Sequence, residues 1–116
     1  MRKVLVVDDE FLVRVGIKSF LNWEENGYTI IGEAADGKQA LEIMERELPD
    51  VVLTDLKMDG MDGFELIQVS RKRFPNVQFV VLSSFEDGEN VKRAMKLGAA
   101  DYIFKLTARR ASADLK

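Results

Sequence analysis

Five short apolar runs alternate along the chain with longer stretches in which apolar residues recur every three or four positions. The runs cover residues 4–7, 28–34, 51–54, 77–82 and 101–104. Short continuous apolar runs are typical of strands buried on both faces, as in parallel sheets, whereas the spacing of three and four predicts amphipathic helices. Because parallel strands are joined by right-handed crossovers, the alternation predicts an α/β fold, a parallel sheet with helices on both faces.

Each of the four predicted helices has a set of residues that faces the sheet. These inward residues are Val13, Ile17, Phe20 and Leu21 in the first helix, Ala40, Leu41, Ile43 and Met44 in the second, Gly63, Leu66, Ile67, Ser70 and Phe74 in the third, and Val91, Ala94 and Met95 in the fourth. Asp62 followed by Glu65 is typical of a capping box that opens the third helix, and Gly98 ends the fourth. The run 28–34 is more polar than the others, which predicts an edge strand. Residues 22–27 before it are predicted to form a loop.

Composition narrows the class of protein. The chain has 116 residues, 47% of them apolar and 32% charged, which is typical of one soluble globular domain. It contains neither cysteine nor histidine, which excludes disulfides, thiolate metal sites and a histidine general base. With 17 basic and 20 acidic side chains, the net charge of -3 argues against nucleic-acid binding by this domain itself. No segment resembles a signal peptide or a membrane span, which favours a cytoplasmic location without membrane attachment.

Four of the predicted strands are followed by, or end on, polar residues that could serve chemistry. These are Asp8 and Asp9, Asp55, Ser83 and Lys105. Taken singly, the first two acids are typical of a helix N-cap or first turn, the serine of a strand-end hydroxyl bound to its own backbone, and the lysine of a solvated charge. Because the carboxyl ends of parallel strands meet at one edge of a sheet, where open α/β folds bind ligands, we expect the four strand ends to form one site.

The expected site has the groups that phosphoryl transfer requires. Three neighbouring carboxylates repel one another, so either one is protonated or a cation lies between them. Oxygen ligands without sulfur or imidazole favour Mg²⁺. A metal and an ammonium group can neutralise the phosphoryl oxygens, a hydroxyl can donate a hydrogen bond, and a carboxylate can attack in line. Asp55 has the best position for that nucleophile.

An ordered set of short motifs over residues 3–105 resembles the response-regulator receiver domain of two-component signalling. The motifs are Val7-Asp8-Asp9-Glu10, Leu53-Thr54-Asp55, Gly60-Met61-Asp62-Gly63, Leu82-Ser83, Leu97-Gly98-Ala99 and the segment from Asp101-Tyr102 to Lys105. The resemblance implies a flavodoxin-like (CheY-like) five-stranded parallel sheet with strand order 2-1-3-4-5.

The resemblance also implies a role for each site residue. Asp55 would be the phosphoacceptor, and the remaining assignments concern the cation, the phosphoryl group and the conformational switch. They are Mg²⁺ held by Asp8, Asp9, Asp55 and the backbone carbonyl of Lys57, phosphoryl contacts from Ser83 and Lys105, and a switch aromatic at Tyr102. For Tyr102, an ordinary half-exposed aromatic on an edge strand is the alternative.

The resemblance further implies partners and an output. A sensor histidine kinase would be the phosphodonor, and the domain would be a signalling domain rather than an enzyme. The face formed by the fourth helix and the fifth strand would read the change and could support a homodimer. That face includes Asn90, Lys92, Arg93, Lys96 and Tyr102. An ordinary solvated helix face is the alternative for these charges.

The segment 23–28 resembles the subgroup of receivers that precede AraC-type DNA-binding domains. It implies that residues 1–116 are one receiver domain of a longer transcriptional regulator, in which an output domain outside this chain binds DNA. Trp23 has an alternative role as a packing anchor between the first helix and the second strand.

The chain departs from the receiver pattern at two positions that are usually proline. Asp59 adds a negative charge to an acidic loop, where it either strengthens cation binding or faces water. Leu106 removes a rigid, often cis, turn after Lys105. The fifth helix, over residues 107–116, is therefore expected to be truncated or irregular.

Several other functions remain as weaker alternatives. Residues 32–39 fall one residue short of a Walker A loop, and Gln39 stands where a serine or threonine would bind Mg²⁺. A calcium loop that starts at Asp55 has Lys57 at its third ligand position. A phosphatase with an aspartate nucleophile would need a general acid at that same lysine position. The main alternative is a receiver-like interaction module that is rarely or never phosphorylated, because of the two missing prolines.

Overall fold

The computed structural model describes residues 1–20, 22–83 and 88–104, apart from the side chains of Phe20 and Phe104. Predictions for Leu21, Lys105, Leu106 and residues 107–116 lie outside this range. Within it, the strands are β1 (Arg2–Val7), β2 (Tyr28–Ala34), β3 (Val51–Asp55), β4 (Gln78–Ser83) and β5 (Asp101–Phe104). The helices are α1 (Phe11–Phe20), α2 (Gly37–Glu47), α3 (Gly63–Arg73) and α4 (Gly88–Leu97). None of the helices in the described ranges combines the length and apolar character that crossing a membrane requires.

The five strands form one parallel sheet in the order β2-β1-β3-β4-β5. The predicted flavodoxin-like topology is therefore confirmed. β3 lies in the middle of the sheet, as its continuous apolar run predicts, and β2 is an edge strand, as its polar character predicts. This order brings the carboxyl ends of β1, β3 and β4 side by side, because neighbouring parallel strands end at the same edge.

Alternate residues of β1 pack on opposite faces of the sheet, because successive side chains of a strand point in opposite directions. On one face Val4 and Val6 pack in a cluster with Ile17 of α1. On the other face Leu5 and Val7 belong to a larger cluster. Its helical members include Ala40 and Met44 of α2, Phe64, Leu66 and Ile67 of α3, and Ala94 of α4. The sheet is thus covered on both sides, which explains why its central strands are apolar throughout.

Most of the predicted inward residues are buried, and α4 supplies the exception. Ala94 is fully buried, but Met95 is 39% exposed, so the prediction that Met95 faces the core is wrong. Consecutive residues of an α-helix are separated by about 100° around the axis. The buried face of α4 is centred on Ala94, so the next residue lies at the edge of that face, whereas the wider buried face of α3 takes in both Leu66 and Ile67.

The structure refines the predicted start of α1 and the predicted loop before β2. Helix α1 begins at Phe11, so the acids at 8–10 precede the helix and do not lie in its first turn. The predicted loop at 22–27 contains a short 3₁₀ helix, Glu24–Asn26. At α3 the N-cap half of the predicted capping box is confirmed, because the side chain of Asp62 accepts a hydrogen bond from the backbone N–H of Glu65, 3.0 Å away.

The loop after β3 is held against the starts of two helices. The backbone N–H of Gly63, the first residue of α3, donates to the carbonyl of Leu56 at 2.9 Å. The backbone N–H of Gly37, the first residue of α2, donates to the carbonyl of Met61 at 2.9 Å. These contacts define the path of the chain immediately beyond Asp55.

Candidate functional site

The ends of β1 and β3 bring three carboxylates together at one edge of the sheet. Asp8 follows β1 and is fully buried, Asp9 is exposed, and Asp55 is the last residue of β3 and is 9% exposed. Val7 of β1 is in register with Thr54 of β3, so the residues that follow these two are neighbours. One carboxylate oxygen from each of the three acids lies within 4.8 Å of the others. The structure therefore brings together the three acids that the sequence predicts as a cluster.

Hydrogen bonds orient the two buried carboxylates. Asp8 Oδ1 accepts from the backbone N–H of Glu10 at 2.8 Å, and Asp55 Oδ1 accepts from the backbone N–H of Leu56 at 2.8 Å. The hydroxyl of Thr54 donates to the carbonyl oxygen of Asp55 at 2.8 Å. Grouped carboxylates that are partly withdrawn from water are costly without a compensating cation. Because the atoms that the cluster offers as metal ligands are all carboxylate oxygens, it fits a hard divalent cation such as Mg²⁺.

A cavity of about 270 Å³ opens beside this cluster and is lined by acidic residues of the loop that follows β3. Its lining residues are Asp9, Lys57, Met58, Asp59 and Asp62. Asp9 belongs to both the cluster and the cavity wall. Asp59 is exposed and lines the same cavity as Asp9, a location that is compatible with both roles that the sequence leaves open for it.

The remaining predicted site residues differ in their exposure and in their position along the sheet relative to Asp55. Ser83 ends β4 and is 1% exposed, and Leu82 before it is in register with Asp55. Within the described part of the chain, Ser83 Oγ has no hydrogen-bond partner. Tyr102 lies on β5 opposite Val81, two residues before the level of Ser83, and is 43% exposed. Lys105 lies outside the described residues.

Comparison with known proteins decides the family. The sequence profile of the response regulator receiver domain matches residues 4–113. The chain belongs to this family. It is therefore a receiver domain of the kind found in two-component systems, and its fold and strand order are those of CheY-like receivers.

Relatives of this receiver domain include transcriptional regulators. It is 43% identical over 105 residues to the transcriptional regulatory protein YesN of Bacillus subtilis, a match that covers 90% of this chain and 28% of YesN. It is 41% identical over 106 residues to the response regulator VraR of Staphylococcus saprophyticus, a match that covers 91% of this chain and 50% of VraR. The receiver domain thus spans half or less of the length of these two relatives.

Solved structures show the same architecture. The receiver domain of AraT, a response regulator from Geobacillus stearothermophilus, aligns with a TM-score of 0.83 at 32% identity, over 97% of this chain and 91% of that one. The response regulator domain of Thermotoga maritima CheB aligns with a TM-score of 0.83 at 30% identity, over 99% and 90% of the two chains.

A group of charged residues on α1 and β2, which the sequence does not single out, contacts the main chain of the site at Asp8. Arg14 of α1 donates from Nη1 to the carbonyl oxygen of Asp8, and from Nε to Glu33 Oε1 of β2 at 3.0 Å. Lys18, one turn further along α1, donates to Glu33 Oε2 at 2.5 Å. Arg14 is therefore the one side chain in this group that links the helix, the edge strand and a member of the acidic cluster.

The same contacts change the acidity of Glu33. The hydrogen bond from Lys18 lowers the pKa of the Glu33 carboxyl below its usual value; burial opposes this shift, and the hydrogen bond from Arg14 reinforces it. Because the pKa of Glu33 is lower in the folded than in the unfolded state, its ionised carboxyl stabilises the fold at pH values above the unfolded-state pKa. This stabilisation is lost as the pH falls through the folded-state pKa.

We expect Glu33→Gln to be less stable than the wild type at neutral pH by about 0.5–1 kcal/mol, the usual value for partly exposed ion pairs. The difference should shrink as the pH falls below about 4.3, the ordinary glutamate pKa, because the wild-type carboxyl is then also neutral. Urea unfolding between neutral pH and about pH 3 measures this. A difference that grows on acidification would contradict the assignment.

The predicted packing role of Trp23 is confirmed. Its Nε1–H donates to the carbonyl of Ile17 in α1 at 3.1 Å, and its ring meets that of Tyr28 in β2 edge-on, with centroids 6.2 Å apart. A second cavity, of about 510 Å³, lies beside Trp23, but none of the predicted strand-end residues lines it. The acidic edge is therefore the better candidate for the functional site.

Proposed function

We propose that this receiver domain accepts a phosphoryl group on Asp55 from a sensor histidine kinase in a Mg²⁺-dependent reaction. The observation that carries the proposal is the convergence of the Asp8, Asp9 and Asp55 carboxylates within 4.8 Å. A carboxylate in that setting can act both as a cation ligand and as a nucleophile. The domain is a signalling module that assists its own phosphorylation and dephosphorylation rather than a general enzyme.

The cation would be held by Asp8, Asp9, Asp55 and the backbone carbonyl of Lys57. Mg²⁺ keeps several water ligands and needs few protein ligands, which agrees with a cluster of one exposed and two buried acids beside an open cavity. When bound, Mg²⁺ supplies positive charge that neutralises the oxygens of the transferred phosphoryl group.

The groups of this chain provide the nucleophile and its orientation. A carboxylate oxygen of Asp55 forms the new O–P bond as the P–N bond of the kinase phosphohistidine breaks, and the departing imidazole nitrogen takes a proton from solvent. The backbone N–H of Leu56 orients the carboxylate for in-line attack. We assign contacts with the phosphoryl oxygens to the buried hydroxyl of Ser83 and to the ammonium group of Lys105.

The output follows from the new charge on Asp55. Movement of Ser83 toward the phosphoryl group would change the packing of Tyr102 on β5, and the face formed by α4 and β5 would carry the change to a partner or to a second copy. Similarity to the transcriptional regulatory protein YesN supports transcription as the output. We accordingly treat residues 1–116 as one domain of a longer cytoplasmic regulator whose DNA-binding domain lies outside this chain.

Intact-mass spectrometry after incubation with acetyl phosphate tests the phosphoacceptor role. We expect the mass of one phosphoryl group in Mg²⁺ and none in EDTA, and peptide mapping after reduction of the acyl phosphate should locate it at Asp55. No added mass in either buffer would favour the interaction module that is not phosphorylated. Phosphorylation mapped to another residue would refute the assignment of Asp55.

Asp59 should strengthen cation binding. We expect Asp59→Asn to weaken Mg²⁺ binding about two- to fivefold, because an exposed charge near the site contributes no more than about 1 kcal/mol. Isothermal titration calorimetry measures the affinity, and the effect should diminish in high salt.

The control for Asp59→Asn is Glu24→Gln, which removes one negative charge at the opposite, amino-terminal edge of the sheet, before β2. This control should leave the Mg²⁺ affinity nearly unchanged. Equal affinities of the two variants would show that Asp59 merely faces water.

A further inference from the structure

We propose that Arg14 is a positioning residue for the cation site, and that it acts by fixing the main chain of Asp8. This inference rests on the proposed Mg²⁺-dependent phosphorylation. It adds a residue of α1 that touches neither the cation nor the phosphoryl group.

The main chain of Asp8 is held on both sides. Its N–H donates to the carbonyl of Ala34 in β2 at 3.0 Å, which extends the β1–β2 pairing by one residue. Its carbonyl accepts from Arg14 Nη1. The Cα that carries the buried Asp8 side chain lies between the two peptide units that these contacts hold, so they set the direction in which the carboxylate leaves the main chain. Loss of the Arg14 contact would release the carbonyl side of Asp8, where the strand ends and the carboxylate cluster begins.

The guanidinium of Arg14 is itself held in place. Nε donates to Glu33 Oε1 at 3.0 Å, and the Arg14 side chain is only 14% exposed. A planar guanidinium can donate to two acceptors in fixed directions, whereas the ammonium of lysine offers a single point charge on a flexible stem. The residue type therefore matters at position 14 beyond its charge.

The two possible roles of Arg14, orientation of Asp8 and electrostatic repulsion of the cation, predict opposite changes in Mg²⁺ affinity when Arg14 is removed. Removal of a positive charge near three carboxylates would by itself strengthen the binding of a divalent cation. Removal of a group that orients one of the ligands would weaken it, as is usual for residues that support metal ligands. The sign of the change in Mg²⁺ affinity therefore separates the two explanations.

Lys18 provides a matched control on the same helix. Lys18→Met removes one positive charge and one ion pair with Glu33, as Arg14→Met does. Lys18 donates to Glu33 Oε2, so Lys18→Met leaves the contact between Arg14 and the Asp8 carbonyl in place. A difference between the two variants consequently reports on the contacts that Arg14 makes beyond Glu33, with the Asp8 carbonyl and with the exposed Phe11 ring, 5.6 Å from the guanidinium carbon. Of these two contacts, only the first reaches a residue of the acidic cluster.

The test compares wild type, Arg14→Met, Arg14→Lys and Lys18→Met. Mg²⁺ affinity is measured by calorimetry, and the initial rate of phosphorylation by acetyl phosphate is measured across a range of Mg²⁺ concentrations. Circular dichroism melting sets a temperature at which all four proteins are folded. Should Arg14→Met not fold, Arg14→Lys, which keeps the charge, is compared with Lys18→Met.

We expect Arg14→Met to weaken Mg²⁺ binding about tenfold, the low end of the range for residues that support metal ligands. The Mg²⁺ concentration for half-maximal phosphorylation should rise by the same factor, while the rate at saturating Mg²⁺ stays close to that of the wild type. Arg14→Lys should show about a threefold shift, half the change in free energy, and Lys18→Met an unchanged or slightly tighter affinity.

Two results would overturn the inference. Equal Mg²⁺ affinities of Arg14→Met and Lys18→Met would show that the Asp8 contact has no effect on the cation. A lower maximal rate with an unchanged Mg²⁺ midpoint would show that Arg14 only maintains the folded fraction. Failure of the proposed function itself is distinct, since the wild type would then take up no phosphoryl group, whereas the calorimetric comparison of the variants depends on Mg²⁺ binding alone.

Discussion

Asp55→Asn should gain no mass from acetyl phosphate under conditions that phosphorylate the wild type. The amide lacks the anionic oxygen that forms the acyl phosphate, and at neutral pH it is a poor nucleophile. We expect no detectable phosphorylation of the variant, because the phosphoryl group needs a specific acceptor atom. Intact-mass spectrometry measures this, and phosphoryl mass on the variant would place the acceptor at another residue.

The same substitution should also change stability, with a sign that depends on the cation. In EDTA we expect Asp55→Asn to be more stable than the wild type by about 1–3 kcal/mol, because it removes one of three carboxylates with oxygens within 4.8 Å of one another. In millimolar Mg²⁺ the wild type should gain the stability of the bound ion, while the variant should gain little. Urea unfolding in the two buffers measures the difference.

Asp59→Asn is the control for this comparison. It removes the same charge from the neighbouring cavity but leaves the three clustered carboxylates in place. Its stability in EDTA should differ little from that of the wild type. A stability of Asp55→Asn in EDTA that is equal to or below that of the wild type would show that the cluster carries no repulsion for a cation to relieve.

The second large effect is expected at Gly63, where α3 begins against the end of β3. A Cβ atom on Gly63 would lie 2.2 Å from the carbonyl oxygen of Asp55 and 2.8 Å from the Cα of Leu56. Both are backbone atoms, so helix and strand would have to separate. We expect Gly63→Ala to lose about 2–4 kcal/mol of unfolding free energy, as overpacking against rigid neighbours does, and to be phosphorylated more slowly.

Gly88→Ala is the matched control, since Gly88 is likewise the first residue of a helix, α4. A Cβ there meets no atom of the described residues within 4 Å. Alanine is favoured over glycine in helices by about 1 kcal/mol, so this variant should be equal to or slightly more stable than the wild type. Urea unfolding compares the two, and a Gly63→Ala protein as stable as Gly88→Ala would contradict the close packing of α3 on β3.

The sheet could be predicted from the sequence because each element carries its own local signal. The apolar run before Asp55 identifies a strand buried on both faces, and its place in the centre of the sheet follows from that burial. The acidic cluster follows in turn, because parallel strands end at a common edge. The local pattern was insufficient where the width of a helix's buried face decides a residue's location, as at Met95.

The link from Arg14 to Asp8 and Glu33 could not be predicted from the sequence. Glu33 lies 19 positions from Arg14, and the two meet only because the crossover packs α1 beside the edge strand. Arginine on the polar side of an amphipathic helix ordinarily indicates solvent exposure. The burial of the Ser83 hydroxyl is likewise a tertiary property, since strand-end serines are commonly solvated.

The location of Trp23 has an optical consequence. The chain contains a single tryptophan, and its contacts with Ile17 and Tyr28 lie where α1 ends and β2 starts, the side of the molecule remote from the carboxylate cluster. Its fluorescence emission should therefore change when the tertiary structure is lost and remain unchanged during titration with the cation. One intrinsic fluorophore can thus read out denaturation independently of ligation in every variant considered above.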